Sequence, residues 1–276
     1  MSEFSAETIL VDCYGKAIKR STCKGNYSLM PRFNIEMAEI PGGTAVLGSP
    51  EHEISRGNES LPYLRDLSTF HMSRHLVTQS QWMLIANLPV VDISLSPSPS
   101  HFKGDNRPVE GITYWEAEEA CKRLSIAFGL MFRLPLEAEW EYACRANIWL
   151  PFHYGHTLTT ALANYCGVDT EIDREEEGSY GATYAKEAVG CYRAETTAVG
   201  YFPPNGFGLF DMHGNVWKWC DYTTVDEYEE YFPEQPIRGG SWRSPPAACR
   251  SAVKMGQLPD ERKNTVGFRL VCDRPD

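Results

Sequence analysis

The sequence predicts an α+β fold built on antiparallel sheets, with about three helices and long ordered loops. Helical periodicity is confined to three segments, and short strand-like segments are numerous. Strands and helices do not alternate along the chain as they do in doubly wound folds. The 276 residues are 42% hydrophobic and 23% charged, which is the composition of a globular chain with a substantial core.

The first half of the chain begins with predicted strands. Residues 7–30 have the pattern of short extended segments. Within them, TILVDCYGKAIKR alternates and turns at Tyr14-Gly15, which predicts a hairpin appended to the main body. Residues 37–49 predict a strand, a Gly-Gly turn and a second strand, and residues 69–78 predict another strand.

Three helices are predicted next. Thr78 and Thr113 each stand three residues before a Gln or Glu, which is the spacing of a capping box. The second helix carries the clearest apolar stripe and ends at Gly129. Residues 135–146 predict the third helix, with Pro135 in its first turn.

Regular patterns fade in the second half of the chain. Residues 147–236 are rich in Gly, Tyr, Asn and Pro, and the acidic run 173–178 predicts a solvated loop. Trp217 and Trp219 alternate, so they share one face of a predicted strand. The end of the chain predicts two strands, IRGGSWRS and TVGFRLVC, joined by a long connection. Such long irregular stretches are uncommon in compact domains unless they serve a function.

Charge and cysteine content exclude several classes of protein. The net charge of −11 argues against a nucleic-acid partner or an anionic membrane surface. No apolar run approaches the roughly 20 residues of a membrane span, and the N-terminus lacks the features of a signal peptide, so we predict a cytoplasmic protein. The nine cysteines are odd in number and form no CxxC pair, which predicts reduced core thiols.

General catalytic and metal-binding motifs are missing from the sequence. There is no GxGxxG, GxxxxGK[ST], HExxH or GxSxG motif. The pairs His71/His75 and His153/His156 have no third ligand nearby in the sequence. We interpret His213 as a hydrogen-bonded turn residue rather than a general base.

Six ordered blocks of sequence resemble the formylglycine-generating enzyme (sulfatase-modifying factor) family. They are MAEIPGGTAVLGS, LVTQSQWMLI, NRPVEGITYWEAEEACKRLS, RLPLEAEWEYACRA, FPPNGFGLFDMHGNVWKWC and IRGGSWRSPPAACRSAVKMGQLPDERKNTVGFRLV. The resemblance implies a variant of the C-type lectin fold over residues 35–276. Residues 1–34 form an N-terminal hairpin extension similar to that of the cyanobacterial branch, whose domains are often joined to kinases or other signalling modules.

The resemblance implies three kinds of activity, of which one is oxidation of a cysteine with copper. Those oxidases carry two cysteines after the GGS motif, whereas here Gly239-Gly240-Ser241 is followed by Ser244 and then Cys249. A serine hydroxyl cannot replace a thiolate as a ligand for soft Cu(I), so the sequence favours a protein that is not an enzyme. A second kind acts beside a separate histidine-rich, iron-binding domain, for which this chain has no room.

The third kind, non-catalytic ligand binders, fits the sequence best. The C-terminal segment resembles the variable region of proteins diversified by retroelements, which implies binding of an unknown protein or small molecule through that segment. Copper-dependent formylglycine-generating oxidoreductase, and accessory module of a kinase or protease signalling system, remain alternatives. The positions that we predict to bind ligand are Trp242, Arg243, Ser244, Pro245, Ala247, Ala248, Val253, Met255, Gly256, Gln257, Leu258, Glu261, Lys263 and Thr265.

Calcium is the one candidate cofactor. The family commonly has an acid in the motif GNxWEW that contributes to a calcium site, and Lys218 stands at that position here. An ammonium group opposes a hard cation, and Lys218 is a candidate internal cation in its place. Asn164 resembles a ligand of the other family calcium site, where Tyr165 would offer its carbonyl oxygen.

Overall fold

Three helices and twelve strands make up the regular structure of residues 2–169, 181–222 and 234–273, the residues that the structure, a computed structural model, describes. The helices are α1 (Gln79–Ala86), α2 (Tyr114–Phe128) and α3 (Glu137–Arg145). The strands are β1 (Ser2–Val11), β2 (Ala17–Met30), β3 (Ile35–Ile40), β4 (Gly43–Leu47), β5 (Tyr63–Leu67), β6 (Phe70–Ser73), β7 (Met131–Arg133), β8 (Trp217–Trp219), β9 (Gln235–Arg238), β10 (Lys254–Gln257), β11 (Val266–Gly267) and β12 (Val271–Asp273). The predicted α+β class is confirmed, while the predicted acidic loop 173–178 lies outside the described residues.

A six-stranded sheet forms one side of the fold, in the order β1-β2-β3-β6-β12-β7. All its neighbouring strands are antiparallel. The predicted N-terminal hairpin is β1–β2, and β2 continues the sheet by pairing with β3 from Tyr27↔Ala38 to Met30↔Ile35. The division of the chain into a hairpin extension (1–34) and a domain (35–276) stays a prediction.

A second sheet has four strands, in the order β10-β9-β8-β11. Its β8–β11 pair is parallel, whereas the other strand pairs named within the described residues are antiparallel. A third sheet contains only β4 and β5. The strands β3 and β4, which flank the Gly-Gly turn, are both present as predicted, but they join different sheets.

Two of the three helices, α1 and α2, begin where the local sequence predicts, and α3 does not. Both predicted capping boxes are present, before α1 at Thr78 and before α2 at Thr113, and Gly129 ends α2 in the left-handed conformation. The third helix begins at Glu137 and not at Pro135, because residues 135–137 exchange backbone hydrogen bonds with Asp221 (Asp221 N to Pro135 O, 2.9 Å; Glu137 N to Asp221 O, 2.9 Å). This pairing keeps the chain extended before the helix.

The two larger apolar clusters each connect helices to a sheet. The larger cluster joins α1 and α2 to the four-stranded sheet through side chains such as Trp82, Leu124 and Trp219. The second packs Trp140 of α3 against Met72 of the six-stranded sheet. Burial of such large side chains contributes about 1.5–3 kcal/mol each to folding. The loops between the strands are therefore carried on a rigid frame.

Among the described residues, no helix has the length and apolar character that crossing a bilayer requires.

Candidate ligand-binding cleft

The predicted binding segment follows β9 and ends at β11, with a short 3-10 helix (Pro246–Cys249) and β10 within it. The structure divides its residues by exposure. Six of the predicted positions are buried: Trp242, Ser244, Ala247, Ala248, Gln257 and Thr265. The others are exposed or half-buried: Arg243, Pro245, Val253, Met255, Gly256, Leu258, Glu261 and Lys263.

One cleft of about 580 Å³ collects several of these positions. Its lining includes the predicted residues Arg243, Met255, Gly256, Gln257, Lys263 and Thr265. Residues of the segment 99–111 also line the cleft, and behind it lie the nearly buried apolar residues Trp217, Ile237 and Val266. The volume lies within the range of about 300–1,000 Å³ that small-molecule sites occupy.

Hydrogen bonds hold the walls of the cleft in place. The Gly111 N–H donates to the Lys263 carbonyl at 3.1 Å, which ties the loop 99–111 to the end of the predicted segment. The Trp242 indole donates to the Asn264 carbonyl at 3.1 Å, which closes the segment on itself. The cleft is thus built from loops that are fixed at both ends, a common arrangement for recognition surfaces.

A smaller cleft of about 360 Å³ takes other members of the predicted set: Ala247, Ala248, Val253 and, again, Met255. Buried ion pairs surround it. Arg238 donates to Glu141 at 2.6 Å, and Arg250 pairs with Glu53 and Glu59. Because these charges neutralise one another, the smaller cleft offers a ligand fewer unpaired polar groups. Neither cleft includes Pro245, Leu258 or Glu261 in its lining.

The larger cleft carries local positive charge on an acidic protein. Arg243, Arg262 and Lys263 all line it. The Arg262 guanidinium binds the Glu116 carboxylate, and Lys263 Nζ lies 3.6 Å from Glu261 Oε2. Arg262 is held by both oxygens of the buried Glu116 carboxylate, whereas the Lys263–Glu261 pair is exposed and contributes little to stability, so the Lys263 ammonium can turn toward a ligand.

Glu110 is the residue of this cleft that sequence reasoning missed. Its side chain is 0% exposed, and its Oε1 accepts the Phe102 backbone N–H at 2.8 Å. Among the described residues, Oε2 is buried and has no hydrogen-bond partner. Burial raises the pKa of Glu110 to about 7, against the opposing effects of the Phe102 and His101 backbone amides. The signal in the sequence was an acid inside the apolar segment PVEGIT.

The positions after the GGS motif do not fit a Cu(I) centre. Ser244 is 0% exposed, and its Oγ accepts the Ser241 N–H at 2.9 Å and lies 3.0 Å from Ser241 Oγ. Its hydroxyl therefore stabilises the turn of residues 241–244 by hydrogen bonding. Cys249 is also buried, at the end of the 3-10 helix. A buried hydroxyl beside one buried thiol is not the pair of thiolates that soft copper requires.

The predicted calcium position contains one unsatisfied oxygen. Asn164 is 0% exposed, its amide donates to the Glu195 carbonyl at 2.9 Å, and its Oδ1 has no partner among the described residues. The Tyr165 hydroxyl donates to the Leu158 carbonyl. No group of three acidic, histidine or cysteine ligands was found around Asn164 within the described part of the chain. Calcium at Asn164 and Tyr165 therefore stays a prediction.

Lys218 lies fully buried nearby, at the position where the family commonly has an acid. Its ammonium donates to the carbonyl oxygens of Met212 (3.2 Å) and Gly214 (2.8 Å). Burial, and then the charge of Arg269, lower the pKa of Lys218 to about 7. The carbonyl oxygens thus bind a side-chain cation supplied by the protein itself.

A buried cluster of Cys144, His153 and His213 is the one group of three such side chains close enough to share a metal within the described residues. Both nitrogen atoms of the His213 ring already make hydrogen bonds. Its Nδ1 bonds the Cys249 carbonyl at 2.7 Å, and its Nε2 accepts the His153 N–H at 3.0 Å. This confirms the interpretation of His213 as a hydrogen-bonded residue and leaves it no lone pair for a metal.

The fold is that of a C-type-lectin-like domain, and the larger cleft is a candidate site that its C-terminal loops line in part. The chain belongs to the sulfatase-modifying factor enzyme 1-like domain family, whose model matches residues 28–274.

Relatives and solved structures extend this result. Formylglycine-generating enzyme from Mus musculus is 31% identical over 195 residues, covering 64% of this chain and 47% of that protein. Serine/threonine-protein kinase pkn1 from Chlamydia pneumoniae is 30% identical over 177 residues, covering 59% of this chain and 24% of that protein. The matched regions therefore span only a quarter to a half of the length of these curated relatives.

Two solved structures share the fold over most of the chain. PvdO from Pseudomonas aeruginosa superposes with a TM-score of 0.69 at 24% identity, covering 91% of this chain and 98% of that one. Treponema denticola variable protein 1 superposes with a TM-score of 0.63 at 23% identity, covering 90% and 98%. At this identity the likeness establishes the fold and not the activity.

Proposed function

We propose that the chain is a non-catalytic binding protein on the formylglycine-generating-enzyme scaffold, and that it binds a small molecule or a peptide in the 580 Å³ cleft. The observation that carries this proposal is the convergence of six predicted positions on one cleft, whose lining includes the cations Arg243 and Lys263 and the apolar side chain of Met255. Mixed surfaces of this kind on rigid scaffolds are usual recognition sites.

The state of Ser244 supports a role without copper chemistry. Its hydroxyl is buried and bonded to Ser241, so no thiolate pair follows the GGS motif. The alternative of a copper-dependent oxidoreductase predicts one-to-one Cu(I) binding that depends on Cys249. Titration of the chain and of Cys249→Ala with Cu(I) separates the two proposals, and we expect no tight site in either protein.

Diversification of residues 243–265 by a retroelement is the finer form of the proposal. The shared fold with a protein named variable protein 1 supports it. A near-copy of the 3′ end of the gene, differing mainly at adenines and lying beside a reverse transcriptase gene, is the expected observation. A flanking sequence without either leaves a binding surface of fixed sequence.

A second candidate is an accessory module of a signalling kinase. The match to kinase pkn1, which covers only 24% of that protein, favours it. Binding in the cleft and a role beside a kinase are compatible. This domain would then bind the ligand, and the kinase would respond to that binding. A neighbouring gene for a kinase or protease is the expected sign, and cofractionation with its product is the test.

The binding proposal is tested with the methyl resonance of Met255, which lines the cleft. We would label the full chain with ¹³C-methyl methionine, assign Met255 through Met255→Leu, and screen a library of amino acids, short peptides and small organic anions. We expect saturable shifts of Met255 that Arg243→Ala with Lys263→Ala weakens. The matched control removes two cations outside the cleft, Lys19 and Arg20, and leaves binding unchanged. A library that never shifts Met255 in a saturable way overturns the proposal.

A further inference from the structure

We propose that the 580 Å³ cleft binds an extended, acidic peptide, which adds a strand to the outer edge of β10 at Gly256. This inference rests on the proposed binding function and names the class of ligand. It starts from the place of β10 in its sheet, whose order is β10-β9-β8-β11. Among the described residues, no strand pairs with the outer edge of β10.

The pairing of β9 fixes the direction of the Gly256 backbone groups. The N–H of Cys220, the residue after β8, donates to the Pro236 carbonyl at 2.9 Å, so that carbonyl points toward β8 and away from β10. Gly256 is the residue of β10 that lies opposite Pro236. Proline has no N–H, and its carbonyl is turned away, so this pair makes no hydrogen bonds between its two members. In such a pair of an antiparallel ladder, the N–H and C=O of Gly256 point away from β9, toward the outer edge.

This edge of β10 faces the cleft. Gly256 is exposed and lines the cleft, and because it has no side chain, its backbone atoms form that part of the wall. Among the described residues, no backbone hydrogen bond outside the β9–β10 ladder involves Gly256. An N–H and a C=O that lie together on the edge of a sheet are the groups with which an extended peptide pairs in β-strand addition.

Met255 extends the site along the strand. It lines both the 580 Å³ cleft and the smaller cleft of 360 Å³, so the two clefts adjoin each other along β10. The four residues of β10 span about 13 Å at about 3.3 Å per residue, which a peptide of about five residues covers. The flexible, apolar side chain of Met255 can pack against different side chains of such a peptide.

The charge of the cleft favours an acidic peptide. The cations Arg243, Arg262 and Lys263 line it. Glu110 is the one acid among the described residues of this lining, and it is buried. The Lys263 ammonium lies 3.6 Å from the exposed Glu261 carboxylate, a weak pair that an acid of the ligand can replace. On a chain with a net charge of −11, the cleft is a local region of positive charge that attracts an acidic partner.

The test uses a library of acetylated pentapeptide amides on the full chain. Each peptide has one glutamate at a fixed position and Val, Thr or Phe elsewhere, residues that favour an extended chain, and each has a twin with glutamine in place of the glutamate. Binding is read from the Met255 methyl shift, and strand pairing from the rate at which the Gly256 amide exchanges its hydrogen with water. We expect the tightest peptide to bind about 2- to 5-fold more tightly than its glutamine twin, the range for an exposed ion pair.

The same peptide should protect the Gly256 amide. At about ten times its dissociation constant it should slow the exchange of that amide about 10-fold, because only the unbound protein leaves the N–H open to water. The amide of Glu3, near the start of β1 and outside the lining of both clefts, is the control and should exchange at an unchanged rate.

A pair of variants isolates the contribution of the Gly256 N–H. Gly256→Pro removes this donor, and proline is tolerated on an edge strand where the N–H points out of the sheet. Gly256→Ala keeps the donor and is the matched control, because both variants place a Cβ against the Glu234 side chain. We expect Gly256→Pro to bind the tightest peptide about 2- to 10-fold more weakly than Gly256→Ala, the range for loss of one neutral hydrogen bond.

The outcomes separate this inference from the function on which it rests. A peptide that shifts Met255 without slowing the exchange of the Gly256 amide overturns strand addition, although the cleft would still be a binding site. Equal affinities for the glutamate and glutamine twins overturn the acidic class. A peptide library that never shifts Met255 overturns the peptide class, and only failure of the wider library overturns the binding function itself. The exchange measurement needs no variant, so a Gly256→Pro chain that fails to fold does not prevent the test.

Discussion

Glu110→Gln should change how the stability of the protein depends on pH. Burial raises the pKa of this carboxyl from an ordinary value of 4.5 to about 7 in the folded chain. Between these two pH values the folded state keeps the proton and the unfolded state releases it. The free energy of unfolding therefore falls as pH rises from about 4.5 to about 7, and this loss is complete above pH 7. Glutamine does not titrate, so the variant lacks the loss.

The size of the effect follows from the difference in pKa. A difference of 2.5 units at about 1.36 kcal/mol per unit sets an upper limit of about 3 kcal/mol. The variant also pays a cost that is independent of pH, about 1–3 kcal/mol, because a buried amide NH₂ replaces the unpartnered Oε2. The informative quantity is the slope with pH and not the stability at any one pH.

Urea unfolding at several pH values from 4.5 to 8 measures that slope. We expect the stability of Glu110→Gln relative to wild type to increase by up to about 3 kcal/mol across this range. Glu3→Gln, an exposed glutamate on β1, is the control, and its difference from wild type should stay flat. A flat difference for Glu110→Gln as well would show that the carboxyl is hydrated or paired in solution, and would refute the argument from its buried oxygen.

Three further substitutions test the buried polar groups. Burial lowers the pKa of the Lys218 ammonium to about 7 in the folded chain, whereas the unfolded chain keeps this proton up to about pH 10.5. The stability of the wild type should therefore rise between pH 7 and 10.5, by at most about 5 kcal/mol, and Lys218→Met should abolish that rise. A rise that persists in the variant contradicts this prediction. Ser244→Ala should cost about 1–3 kcal/mol in urea unfolding by leaving the Ser241 N–H unpaired, and a neutral result would show that water replaces the hydroxyl. Arg250→Met should cost about 3–5 kcal/mol, because it leaves two buried glutamates without their cation, and a cost below about 1 kcal/mol would show that those pairs are solvated.

The sequence predicted those parts of the fold that depend on neighbouring residues. The capping boxes at Thr78 and Thr113 and the left-handed Gly129 are each decided within a few residues, and all three are present. The start of α3 was misplaced, because the pairing of Pro135 with Asp221 brings together distant parts of the chain. The sequence around β3 and β4 could not predict which strands they pair with, because strand pairing depends on the whole topology.

The candidate site shows the same limit. Resemblance to a variable region located the segment around Met255, and the cleft contains part of that segment. The sequence could not show that Ser244 and Gln257 face inward, because their burial depends on the turns that follow β9 and β10. Glu110 was missed because it reaches the cleft from a loop far away in the sequence. The sequence shows an acid inside an apolar segment, but only the structure shows that Oε2 of this acid is buried without a hydrogen-bond partner among the described residues.

Two other buried carboxylates, Glu119 and Glu141, have partners for both oxygens, in contrast to Glu110. Glu119 accepts the backbone amides of Val91 and Asp92 with its two oxygens and also binds Arg123. Glu141 divides its oxygens between Arg145 and Arg238. These acids fix loops and helices at the cost of desolvation, which good geometry offsets.

Glu110 differs from those acids because its second oxygen is satisfied by no group among the described residues. The buried acids Glu119 and Glu141 gain hydrogen bonds and ion pairs that offset their desolvation, whereas this oxygen gains none among the described residues. Such an oxygen lowers the stability of the folded protein when the carboxyl is ionised, because burial removes its water and no donor replaces that water. The same carboxyl should therefore weaken the fold near neutral pH, and the unfolding experiment on Glu110→Gln measures the size of that cost.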